Sequence, residues 1–278
     1  MKQQILFEIK KFSSFLTDFR INKLGSSVFF TDRKKTPDLE KIITNLPKNS
    51  AVIIREYDLD KSSRENFAKK IARLIKNLNL TQNKQLKIII GKDFALALKI
   101  KADGIHFSDF ERIPLQFFKK KSFPQKFIFS IACHSFRSVI KSLKLKPDII
   151  FISPVFPTTT HLHTKSPIKN PVKNPVKNPI KNPLKNPIKN PLKNPIKNPL
   201  KNQVTNLPEN FRLKNFGLKN LAKIAFQTKK LNYFSARSGA PFFTRIFALG
   251  GINAKNLRSV RKLGLSGFGA IDLFQKNS

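Results

Sequence analysis

Short apolar runs rich in Ile, Val and Phe recur along the chain, with stretches between them whose apolar positions fall three and four apart. The runs predict strands at Val28–Thr31, Ala51–Arg55, Leu86–Ile90, Gly104–Phe107, Phe127–Ala132, Asp148–Ile152, Arg245–Leu249 and Gly267–Ile271. The intervening periodicity predicts helices at Asp38–Leu46, Ser62–Leu78, Phe94–Lys101, Phe110–Lys119, Ser135–Leu143, Leu218–Thr228 and Ala254–Leu263. Strands that are apolar on both faces and separated by helical segments belong to a parallel sheet covered by helices. Eight of them in this alternation point to a (β/α)8 TIM barrel, with little sequence left after the last strand for a final helix. Such barrels carry their chemistry at the C-terminal ends of the strands.

Two segments depart from this rhythm. Ile5–Phe19 sets Leu6, Ile9, Phe12, Leu16 and Phe19 at helical spacing, so residues 1–27 form an amphipathic extension, read as a helix across the barrel bottom or along a membrane surface. Pro167–Asn202 repeats Pro-aliphatic-Lys-Asn nine times. A proline at every fourth position removes amide donors and costs about 3 kcal/mol at each helix-interior site, so neither helix nor central strand forms there. The expectation is a disordered, extended insertion over 164–206 after strand six, leaving 28–163 and 207–278 for the barrel. Asn206–Asn215 and Leu231–Pro241 read as further loops.

Composition refines this picture. The formal net charge is +38; the nine repeat lysines account for +9, and +29 remains spread over the rest of the chain. That balance favours anionic small molecules and allows non-specific polyanion contact through the repeat. Heavy use of Lys, Asn, Ile and Phe without Trp fits an AT-rich coding sequence, which accounts for part of the charge. Cys133 is the single cysteine, so an internal disulfide is excluded and a reducing cytoplasm is expected. No apolar run approaches the ~20 residues of a membrane-spanning helix.

Chemistry gathers at predicted strand ends. Asp148–Thr160 runs from a strand into a loop holding Thr158, Thr159 and Thr160, and Ile246–Asn253 ends on Gly250 and Gly251. Hydroxyl donors and glycines that let backbone amides approach closely are what a phosphate site needs. His161 and His163 form an HxH pair without further Cys or acidic ligands beside it, which is little on which to build a metal site.

Six landmarks fall in order on these strand ends: FFTD at Phe29–Asp32, IIRE at Ile53–Glu56, ALALKIKADGIHF at Ala95–Phe107, CHS at Cys133–Ser135, SPVFPTTT at Ser153–Thr160 and ALGGIN at Ala248–Asn253. In this the chain resembles the thiamine phosphate synthase and TenI-like thiazole tautomerase superfamily over about Val28–His161 and Gly217–Phe274. The resemblance implies a transferase of thiamin biosynthesis that condenses hydroxymethylpyrimidine pyrophosphate with thiazole phosphate. Magnesium and basic residues hold the departing pyrophosphate. It implies Arg55, Thr158 and Thr160 as pyrophosphate ligands and Gly250 and Gly251 as neighbours of the thiazole phosphate.

The pattern is not kept throughout. Ile53 and Tyr57 stand where the synthase pattern has a glutamine and a lysine around the arginine, and the Asn-Asp pair of the third strand end is assigned to Ile89 and Ile90. Asp93 nearby reads as a helix N-cap. Glu111, with Asp109 two residues before it, stands where the second magnesium carboxylate is expected. His161 replaces the lysine after the threonine loop. Asp272 replaces a serine near the last strand, where its charge would repel a phosphate. His134 in the CHS motif matches the histidine that moves a proton in the tautomerase branch, a role suited to an imidazole titrating near neutral pH. His106 reads as a core histidine. The sequence thus leaves three readings open: a synthase, a tautomerase, and a catalytically degenerate basic binding protein.

Overall fold

Each strand of the barrel alternates between two apolar surroundings, and that alternation decides which side chains reach the centre. In β1 (Ser27–Phe30), Val28 and Phe30 face the barrel interior while Phe29 packs outward against the helices. The same parity holds in β2 (Ala51–Ile54), with Ala51 and Ile53 inside and Val52 and Ile54 outside, and in β3 (Lys87–Gly91), with Ile89 inside. β4 (Gly104–Phe107), β5 (Ile128–Cys133), β6 (Ile149–Ile152), β7 (Arg245–Leu249) and β8 (Gly267–Ala270) complete a closed barrel. Every neighbouring pair is parallel, including β1 with β8, so no strand is left with an edge. This computed structural model describes residues 24–108, 113, 127–157, 217–237 and 244–275, the side chains of 229–237 excepted.

The helices are α1 (Leu39–Thr44), α2 (Lys61–Gln82), α3 (Phe94–Lys99), α4 (Phe136–Leu143), α5 (Gly217–Arg237), α6 (Leu257–Lys262) and the single turn α7 (Asp272–Gln275). α2 shows how the sequence sets them. Asp60 accepts from the Ser62 and Ser63 amides, Ala68, Ile71, Ile75 and Leu78 form the buried stripe, and Asn83 ends the helix in a left-handed conformation. α5 continues to Arg237, so Leu231–Arg237 is helix rather than the loop expected for Leu231–Pro241. The next glycine after Gly217 is Gly239, so no proline or glycine interrupts the helix before its end. Residues 1–23 of the N-terminal extension, the repeat insertion, the loop expected at Asn206–Asn215 and, Ile113 apart, the helix expected at Phe110–Lys119 lie outside the described residues, whereas Leu24 joins the core and Ser27 begins β1 instead of belonging to the extension.

Large rings fill the barrel centre where small residues make room. Phe30, Phe151, Phe247 and His106 interlock edge to face, with centroids 5.1 Å apart for Phe30–Phe151, 5.4 Å for Phe151–Phe247, 5.4 Å for Phe30–His106 and 5.5 Å for His106–Phe151. Each such pair contributes about 0.5–1.5 kcal/mol beyond the area it buries. A Cβ on Gly269 would sit 2.5 Å from Phe30 Cε2 and one on Gly267 would sit 2.6 Å from Phe247 Cε2, so these glycines are the space the rings occupy. Arg245 closes the N-terminal end, donating from Nη1 to the Leu24 carbonyl at 2.9 Å and from Nη2 to the Gly25 carbonyl at 3.1 Å. The centre is packed solid, and the C-terminal mouth is left for chemistry.

Candidate active site

Arg55 is the next inward position after Ala51 and Ile53, one step beyond the end of β2, and so emerges above the aromatic plug. Its guanidinium lies over the Phe30 ring, 5.8 Å from the centroid. Nε donates to the Thr31 carbonyl at 3.1 Å and Nη2 pairs with Asp32 Oδ2 at 3.5 Å. The loop that carries it is tied down by buried Glu56, whose carboxylate accepts from Thr31 Oγ1 at 2.5 Å, the Arg33 amide at 3.1 Å and the Arg55 amide at 3.1 Å. Glu56 therefore joins the β1 and β2 loops and fixes the direction from which Arg55 leaves the strand. The arginine side chain remains one-third exposed at the mouth.

Across the barrel, His134 follows Ser130 and Ala132 in the inward parity of β5. Its Nδ1 donates to the Ser153 carbonyl at 2.8 Å in the tautomer that bond selects, which puts the lone pair on Nε2. Below both residues lies His106, with Nδ1 3.0 Å from Ser130 Oγ. Burial, then the charge of Arg55 and the proximity of His134, push its pKa down to about 3, so it is a neutral part of the floor. This agrees with its reading as a core histidine.

The β6 and β7 loops are zipped together. The Val155 amide donates to the Leu249 carbonyl at 2.9 Å and the Phe156 amide to the Gly250 carbonyl at 3.2 Å. Gly250 and Gly251 adopt φ of 90° and 67°, and a Cβ on Gly251 would lie 2.7 Å from both Phe156 Cβ and the Pro157 carbonyl oxygen. Glycine is required at 251 on both counts, and the contact seats it against the β6 loop at Phe156 and Pro157.

A model of the thiamine monophosphate synthase family matches residues 28–184. The chain belongs to this family. A protein of Aquifex aeolicus (strain VF5) named "Putative thiamine-phosphate synthase 2" is 30% identical over 134 residues, covering 47% of this chain and 67% of that one. Among solved structures, thiamine phosphate pyrophosphorylase from Pyrococcus furiosus superposes with a TM-score of 0.56 at 17% identity, over 92% of this chain and 95% of that one, and shares the fold.

Against the family pattern, Arg55, His134, Gly250 and Gly251 all come to the C-terminal end of the barrel. Thr158, Thr160, Asp109 and Glu111, like His161 and His163, lie outside the described residues. The assignment of the third-strand pair to Ile89 and Ile90 is corrected. Both are fully buried within β3, which runs on to Gly91, so the residues at the mouth are Gly91, Lys92 and Asp93. Asp93 caps α3 as expected, accepting from the Leu96 amide at 2.9 Å, and its other oxygen lies 3.6 Å from Arg64 Nη1. Asp272 stands exposed at the start of α7.

Among the described residues, the end of β3 does not offer the magnesium carboxylate that the family implies, while Asp109 and Glu111 lie outside them. At the end of β3 a lysine follows the glycine and the carboxylate beyond it is engaged by a helix cap and an arginine. No cluster of three or more His, Cys, Asp or Glu suited to a metal occurs among the described residues. Sequence reasoning missed Glu56 as the residue that positions Arg55, and Lys92 at the mouth. The adjacency of Glu56 to Arg55 was the available signal for the first; the second was hidden by placing the end of β3 at Ile90. Among the described residues no helix is long and apolar enough to cross a membrane.

Proposed function

We propose that this barrel condenses hydroxymethylpyrimidine pyrophosphate with thiazole phosphate to give thiamin phosphate and pyrophosphate. The observation that carries the reading is Arg55, held by Thr31 and Asp32 at the mouth above the ring floor of Phe30, His106 and Phe151. The carbon–oxygen bond to pyrophosphate breaks with both electrons leaving on oxygen, and the thiazole nitrogen lone pair forms the new carbon–nitrogen bond. Arg55 stabilises the charge that accumulates on the leaving group, and a preorganised donor of this kind supplies about 10²–10³ in rate. Gly250 and Gly251 shape the loop beside the thiazole phosphate. The test is thiamin phosphate formation by the purified protein from the two substrates. Product supports the reading, and its absence from protein shown to be folded overturns it.

His134 favours a second reading. An imidazole whose Nδ1 donates to a carbonyl has Nε2 as its basic position, which is what proton transfer on a thiazole carboxylate phosphate requires. Solvent proton exchange into that compound, abolished by His134→Ala while condensation changes less than about tenfold, would assign the tautomerase chemistry to this chain.

A further inference from the structure

The end of β3 carries a second cation with a built seat. Lys92 is exposed and adopts a left-handed backbone, φ 64°, immediately after Gly91. Its amide donates to the His106 carbonyl at 2.8 Å, which fixes the turn between β3 and β4. Its ammonium lies over the Tyr57 ring, 4.4 Å from the centroid. Tyr57 itself stands two residues beyond Arg55 and covers Gly91 so closely that a Cβ on Gly91 would sit 2.9 Å from Tyr57 Cε1. Arg64 also lies on this ring, 5.4 Å from the centroid, but it is buried and engaged by the Gly91 carbonyl and Asp93. The aromatic face thus draws the Lys92 ammonium toward the β2 end, on the side of the mouth where Arg55 emerges.

We propose that Lys92 and Arg55 together bind the substrate's pyrophosphate, so that an ammonium on the Tyr57 ring supplies, within the protein, positive charge that the family draws from magnesium. This rests on the synthase reading for the identity of the ligand. The charge argument is direct. A lysine at the strand end repels a divalent cation and attracts a pyrophosphate, whereas Asp93, the carboxylate that follows it in the chain, is held by the Leu96 amide and Arg64. A cation–π contact keeps the ammonium in place at little cost, because the ring face does not neutralise its charge. Lys92 gives charge without directional coordination, and Arg55 gives the planar fork that orients the anion.

The test is calorimetric titration of the full chain with inorganic pyrophosphate at physiological ionic strength, in a chelator and again with magnesium. The wild-type protein should bind in chelator, and Lys92→Gln should weaken binding there by about tenfold or more, the loss of one charge-assisted contact. Tyr57→Leu should weaken it by about two- to fivefold, the loss of the ring contact. Lys146→Gln is the matched control for the general basicity of the chain. Lys146 is also exposed and left-handed, φ 50°, but precedes β6 and so lies at the opposite end of the barrel. It should leave binding unchanged. Binding by the wild type in magnesium alone, or equal affinities of Lys92→Gln and wild type in chelator, would overturn the proposal. Thiamin phosphate formed in magnesium but not in chelator would overturn it while leaving the synthase reading intact. Metal-free pyrophosphate binding through Lys92 without any thiamin phosphate would uphold the site and sink that reading instead.

Discussion

Two arginines line the inner wall of this barrel, one at each end, and their surroundings assign them opposite duties. Arg245, at the N-terminal end, is 6% exposed and donates to the carbonyls of Leu24, Gly25 and Ser266 while stacking 4.9 Å from the Phe247 centroid. Arg55, at the C-terminal end, has a third of its side chain in solvent, takes one carbonyl and one carboxylate, and lies over Phe30. Both sit on the same ring stack. What separates them is whether chain oxygens take up the donors. Where backbone carbonyls converge, the guanidinium is a cork; where they do not, its donors face arriving anions.

The sharpest way to test that contrast is to remove each arginine in turn. Arg55→Ala should lower kcat/KM for thiamin phosphate formation by about 10²–10³, with Tm within about 2 °C of wild type because the site is partly solvated. Arg245→Met keeps the bulk but leaves buried carbonyls without a donor, costing about 2–3 kcal/mol. For a domain of this size that is a fall in Tm of roughly 5–10 °C, with kcat/KM of the folded fraction unchanged. If Arg245→Met lost activity at constant Tm, the assignment of duties would be reversed.

The fold was open to reading because the barrel strands are buried on both faces and so appear as mostly apolar runs, uninterrupted in AVII and IIFI. All eight strands stand where those runs predict them, with ends displaced by a residue at most. Arg55 and the glycine pair were visible for a related reason, since strand-end motifs keep their order along the chain. What stayed hidden depended on register or on contacts across the fold. KIIIG gives no internal mark of where the strand leaves the barrel, so the mouth was placed on Ile89 and Ile90 and Lys92 was passed over. The meeting of Lys92 with Tyr57, and of Arg245 with Leu24, needs the closed barrel to bring distant segments together. Loop residues 158–160 and 109–112 remain where the sequence left them.

The mouth can also be probed through its backbone. Gly251 and Gly217 share a left-handed conformation, with φ of 67° and 63°, yet a Cβ on Gly251 meets the β6 loop at 2.7 Å whereas one on Gly217 meets nothing within 4 Å among the described residues. Gly217→Ala should therefore cost only the conformational strain, about 1 kcal/mol. Gly251→Ala should cost about 2–3 kcal/mol, since Phe156 or Pro157 must shift as well, and should raise KM for thiazole phosphate more than for the pyrimidine substrate. Equal losses in the two variants would mean that the β6 loop yields freely and does not define the site.

His106 offers the finest comparison between the two ends. Its pKa is pushed down to about 3, first by burial and then by Arg55 and His134. The unfolded chain therefore binds a proton near pH 6.5 that the folded chain refuses. The stability this neutral histidine supports is complete above pH 6.5 and is lost as pH falls from there toward 3. Between pH 6.5 and 5, where carboxylates remain largely ionised, wild-type stability should fall by about 1.5 kcal/mol more than that of His106→Gln, measured by urea unfolding. Arg55→Ala removes one of the charges opposing protonation and should raise the pH at which His106 itself protonates in the folded state, read by NMR titration. Arg245→Met should leave it unchanged, because that guanidinium is not among the charges acting on His106. Identical folded-state titrations of His106 in the two arginine variants would show that burial alone sets the histidine's state, and that the charge at the mouth does not reach into the barrel floor.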